Sequence, residues 1–131
     1  MRYNGRRGVH IETLRHGIDI VEITRIRQAI RRNRAFLNRV FSEAELADNP
    51  GAPTLAARFA AKEAAMKMLG SGMFRIGWQD IEITNNKDGS PRIKLTGVAL
   101  HKAKKLGIKS FSLSLSHSRT YAVASVIGVI Q

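Results

Sequence analysis

The 131-residue sequence contains no cysteine. That excludes a disulfide scaffold, a thiolate nucleophile and any zinc site built on sulfur. Aromatic residues make up only 6% of the chain, with five Phe, two Tyr and one Trp, and proline occurs three times. No apolar run approaches the ~20 residues that a membrane-spanning helix needs. The first residues, MRYNGRRGVHIETLRHG, lack the apolar stretch of a secretory signal. These absences point to a cytoplasmic protein with no membrane partner. Acids are also scarce, 10 against 22 Lys plus Arg, for a net charge of +12. Such an imbalance calls for an anionic partner without naming it. What remains is 44% hydrophobic, enough for one globular core and little room for a second.

The hydrophobic pattern changes period several times along the chain. Residues 17–23, GIDIVEI, are β-branched and partly alternating, a short strand that carries Asp19. From Ile23 the apolar spacing becomes helical through Ile26, Ile30, Leu37 and Val40, with Asn33 filling the gap in that stripe. Ser42 is placed as the N-cap of a restart, with Glu45 at the capping-box position. The segment from Thr54 to Leu69 is dense in strong helix formers, with Thr54 as its N-cap and Gly70 as its C-cap. Residues 80–84 and 92–95 alternate about the turn Asn85–Gly89 and form a hairpin. A short helix over 98–106 ends at Gly107. Residues 111–116 alternate again, and 121–130 form an apolar strand expected to be buried on both faces. Helices followed by hairpin-linked strands predict an α+β fold with an antiparallel sheet.

Three places hold polar groups that a plain fold does not need. Asp19 lies between isoleucines; it is either a cap for the following helix or a ligand for a hard cation, which prefers oxygen donors. Glu63 and Lys67 stand four residues apart on one helix face, with Phe59 one turn earlier. By default such a pair is a surface salt bridge. The surrounding alanines favour close packing, so that a metal-binding carboxylate and a phosphate-binding lysine would share one face. His117 sits in a turn between two strong strands, where side chains are often displayed for function. A fourth feature is a run of six arginines, Arg25, Arg27, Arg31, Arg32, Arg34 and Arg39, with no acid between Glu22 and Glu43. Their planar forks suit carboxylate and phosphate alike, so the run itself leaves open an acidic protein or a nucleic acid. A nucleic-acid-binding domain would account for the charge, but not for Asp19 or for Glu63 beside Lys67, and no base-stacking strands accompany it.

Taken in order, these segments resemble the holo-acyl-carrier-protein synthases, small bacterial 4′-phosphopantetheinyl transferases. The resemblance is carried by Gly17–Ile23 with Arg25 and Ile26, by Phe41–Glu45, and by Arg58–Ala64 with Lys67 and the Gly70-Ser71-Gly72 turn. Trp78–Ile83, Leu113–His117 and Tyr121–Ala124 complete it. It implies one transferase domain over 17–131, preceded by a basic N-terminal extension, 1–16, that is longer than in the family. It implies transfer of the phosphopantetheine arm of coenzyme A to a serine of acyl carrier protein, for fatty acid biosynthesis, with release of adenosine 3′,5′-bisphosphate. By that resemblance Asp19 and Glu63 hold Mg²⁺, and Lys67 contacts phosphate with Lys62 as a second. Gly70, Ser116 and His117 lie near the cofactor. Arg25, Arg27 and Arg32 receive the acidic carrier protein, with no role for nucleic acid. The serine proton is left to Glu63, His117 or a water, with Glu63 favoured. The family's homotrimer, with sites shared between subunits, would also cover the apolar last strand.

Overall fold

The computed structural model describes residues 13–70 and 75–130. Strand β1 (Leu14–Glu22) leads into three helices, α1 (Ile23–Arg32), α2 (Arg34–Val40) and α3 (Glu43–Leu46). The long helix α4 (Ala52–Leu69) follows, then a 3₁₀ turn (Trp78–Asp80) and the hairpin β2 (Ile81–Asn85) and β3 (Pro91–Leu95). Helix α5 (Gly97–Leu106), β4 (Ile108–His117) and β5 (Tyr121–Ile130) complete the chain. The α+β expectation holds. One antiparallel sheet runs β1-β5-β4 and a separate two-stranded one pairs β2 with β3.

Helix α4 is the organiser. Its Ala60, Ala61, Ala64, Ala65, Met68 and Leu69 are buried against the sheet, the hairpin and α5. Its N-terminal Leu55, Ala56 and Ala57 close a second cluster with Ile23, Ile26, Val40 and Phe41. Small side chains let the helix lie low on β1. At Gly17 a Cβ would sit 1.8 Å from the Ala64 carbonyl oxygen, so only glycine permits that approach. Gly70 ends α4 at φ 69°, the left-handed cap expected of it.

Four local expectations need correcting. β1 begins at Leu14, so Leu14, Arg15 and His16 belong to the sheet rather than to an extension; residues 1–12 lie outside the described residues, as do Ser71 and Gly72. The stripe from Ile23 to Val40 is two helices: Asn33 leaves helical geometry at φ −151° and its side chain caps α2 by accepting from the Ala35 amide at 3.0 Å. The cap of α4 is Gly51, not Thr54, because Pro53 needs no amide partner and fits inside the first turn. β5 buries only Ala122, Ala124, Val126 and Gly128 fully; its other face is half-covered within one chain. The capping box at Ser42 and Glu45 is present as expected.

Candidate active site

Because side chains alternate along a strand, β1 turns Ile18 and Ile20 outward, 58% and 62% exposed, and Asp19 inward toward α4. That reverses the usual order for a strand on a core. Asp19 there accepts from the Lys67 ammonium at 2.9 Å, and Lys67 also reaches the Ile18 carbonyl at 3.2 Å. The predicted partner of Lys67 within the helix, Glu63, is instead turned toward Asp19. Burial, and then the adjacent Asp19 carboxylate, push the Glu63 carboxyl up, while Lys67 and Arg25 oppose this. Lys67 in turn is raised by its hydrogen bond to Asp19 and by that carboxylate's charge. Asp19, Glu63 and Arg25 line one cavity of about 250 Å³, floored by Ile26, Phe36 and Phe59. Phe59 stacks on Trp78 at 5.0 Å between ring centroids, which fixes that wall.

The other expected residues fall elsewhere. His117 lines a different cavity of about 200 Å³ with Thr54, Arg58 and Asn85. Ser116, its neighbour, is exposed on the outer sheet face opposite Val123, so one chain does not bring these two side chains together. Gly70 is exposed at the end of α4. Arg25 belongs with the carboxylates, whereas Arg27 lines a third hollow with Arg31 and the exposed Arg32 lines neither. Arg25 and Arg32 stand two turns apart along one face of α1, while Arg27 faces away from both.

Lys62 is a correction. It is fully buried, ion-paired to Glu45 at 2.8 Å and donating to the Trp78 carbonyl at 2.9 Å and to the Ile81 carbonyl. Desolvation lowers its pKa even though Glu45 opposes the shift. All its donors are spent on the protein, so it is part of the framework and not a cation held for phosphate. Arg58 is the residue that sequence reasoning passed over. It is 4% exposed, donates to the Glu45 carbonyl, and leaves its buried Nε without a hydrogen-bond partner on a cavity shared with His117. The signal was an arginine opening an alanine-rich helical run.

Two adjacent carboxylates suit a divalent cation poorly as a closed cage but well as a half-site. Among the described residues no cluster of three or more His, Asp or Glu side chains exists. Mg²⁺ commonly takes one or two carboxylates and completes its shell with water and substrate phosphate. Burial first, and then the neighbouring Asp19 carboxylate, raise Glu63, and a cation held between the two carboxylates would relieve the second of these. The donor set therefore fits Mg²⁺ together with a phosphate substrate.

Residues 15–126 match the family model of the 4′-phosphopantetheinyl transferase superfamily, which makes the chain an enzyme of that class. A holo-[acyl-carrier-protein] synthase of Moorella thermoacetica is 50% identical over 116 residues, 85% of this chain and 90% of that protein. The Helicobacter pylori holo-[acyl-carrier-protein] synthase in complex with coenzyme A superposes with a TM-score of 0.76 at 34% identity, covering 86% of this chain and 98% of that one. A Plasmodium yoelii acyl carrier protein synthase with ADP bound gives a TM-score of 0.82 at 30% identity, over 92% and 97% of the two chains. The chain belongs to the holo-acyl-carrier-protein synthase family.

Proposed function

We propose that the protein transfers the 4′-phosphopantetheine arm of coenzyme A to a serine of apo acyl carrier protein. The reaction depends on Mg²⁺, releases adenosine 3′,5′-bisphosphate and serves fatty acid synthesis in the cytoplasm. The observation that carries this reading is the pairing of Asp19 with Glu63, flanked by Lys67 and Arg25. Displacement at phosphorus requires neutralised phosphate charge and an in-line nucleophile more than covalent help from the protein. When bound, Mg²⁺ on Asp19 and Glu63 supplies Lewis-acid stabilisation of the pyrophosphate. Lys67 adds a fixed positive charge at the rim, and Asp19 holds that ammonium in place at 2.9 Å. The serine oxygen bonds to the phosphorus of the arm, the pyrophosphate P–O bond breaks, and Glu63 takes the serine proton directly or through one water. Arg58, with one buried N–H unpaired, and His117 form a second anion site for the phosphorylated nucleoside end of the donor.

Arg25, with Arg27 and Arg32 on flanking surfaces, receives the acidic carrier protein. The active assembly is a homotrimer with sites between subunits. Its support is the outer sheet face, where Leu14, Ile18, Ile20 and Tyr121 are 47–62% exposed and no helix among the described residues covers them. Mass spectrometry of apo acyl carrier protein incubated with the enzyme, coenzyme A and Mg²⁺ tests the reaction. The expected result is a gain of one phosphopantetheine arm that EDTA prevents. No gain with a carrier that another synthase can modify would overturn it.

A further inference from the structure

The arginine run divides into two faces, and Arg31 and Arg34, on the second, have no part in the transfer reaction proposed above. Arg25 points to the carboxylate cavity. On the other side of α1, Arg27 and Arg31 stand at the rim of a separate hollow of about 360 Å³, whose floor is Ile30, Leu37, Leu46 and Leu55. An adjoining hollow of about 460 Å³ shares Ile30, Arg31 and Leu37 and adds Arg34, so the two form one elongated groove. No acidic side chain lines either part, and among the described residues these three arginines make no ion pair. Guanidinium groups at the rim over an aliphatic floor recognise an amphiphile with one anionic end. The floor carries no aromatic ring, so it offers a nucleobase nothing to stack on. A bare phosphate would leave the aliphatic floor unused. The chain's own residues 1–12 carry Arg2, Arg6 and Arg7 against a lone Glu12 and are repelled by such a rim.

We propose that this groove binds the anion of an alkyl carboxylic acid, its chain along Ile30, Leu37, Leu46 and Leu55 and its carboxylate held by Arg31 or Arg34. The groove shares no lining residue with the carboxylate cavity, so a bound acid leaves that cavity open.

The test is a titration of the full chain with carboxyl-labelled decanoate below its micellar concentration, read by the carbon NMR shift of the carboxylate. Saturable binding is expected. The double variant Arg31→Glu, Arg34→Glu should weaken it by about tenfold or more while melting as the wild type does. Decyltrimethylammonium, with the same tail and the opposite charge, should not displace it. Absence of saturable binding, equal binding by the cation, or indifference to the double variant each overturns the proposal. So does a raised KM for carrier protein in that variant with no decanoate binding, since the groove would then belong to the docked protein. Failure of the transferase reading is separable: Asp19→Asn should leave decanoate binding unchanged whatever it does to activity.

Discussion

Lys62 and Glu45 are both fully buried, and their ammonium and carboxylate meet at 2.8 Å. Glu45 also accepts from the Ser42 and Ile83 amides at 2.9 and 2.8 Å, so the pair ties α3, α4 and β2 to one point beside the site. Breaking such a pair on one side strands a charge in the core, at a cost of roughly 3–5 kcal/mol, whereas replacing both partners with apolar residues is often neutral. Lys62→Met should therefore lower the melting temperature sharply. The double variant with Glu45→Leu should recover part of the loss and keep the KM for coenzyme A near wild type. A KM that rises in the stable double variant would return Lys62 to the phosphate site.

Asp19→Asn and Glu63→Gln should each reduce Mg²⁺-dependent transfer by more than ~100-fold, since even partners behind metal ligands cost ~10–100-fold. Size-exclusion profiles should stay unchanged. Full activity in either variant would remove the metal assignment.

Glu63 also sets a pH dependence of stability. Its folded-state proton affinity is raised from the ordinary value of 4.5, mainly by burial and by Asp19. The unfolded chain therefore releases this proton first as pH rises, and the folded state holds more protons across that interval. The contribution of Glu63 is fully present below about pH 4.5 and is lost as pH rises through its elevated folded value. Thermal melts without Mg²⁺ should show Glu63→Gln more stable than wild type at pH 8, with the gap closing toward pH 4. A gap that widens toward acid would reverse the assignment.

Arg25 shares the carboxylate cavity and draws the Glu63 carboxyl down. Arg25→Ala should raise the KM for carrier protein well above that for coenzyme A and, in addition, move the acidic limb of the rate profile to higher pH. Arg32→Ala, two turns further along α1 and outside that cavity's lining, should change the first and not the second.

Much of this arrangement was legible in the residues, and the failures have physical causes. Periodicity located every strand and α4, because those segments bury one regular face. It joined α1 to α2, since a polar residue in an apolar stripe looks the same whether it lies in a helix or ends one, and Asn33 ends it. The i, i+4 spacing put Glu63 and Lys67 on one face but could not show that both answer to Asp19 across the strand. Lys62 was misplaced because a lysine beside a functional glutamate looks exposed, and the carboxylate that buries it lies seventeen residues earlier in the chain. Arg58 was missed because only the fold brings it to His117.

The contact between Gly17 and the Ala64 carbonyl has a bearing on redesign. Two residues before Asp19 and one after Glu63, it brings the strand and the helix that carry the two carboxylates together by main chain against main chain. Side-chain packing elsewhere in the core can therefore drift without separating the backbones that carry Asp19 and Glu63. A library that randomises the leucines, isoleucines and methionine under the sheet would sample stability while leaving the chemistry fixed, provided position 17 is left alone.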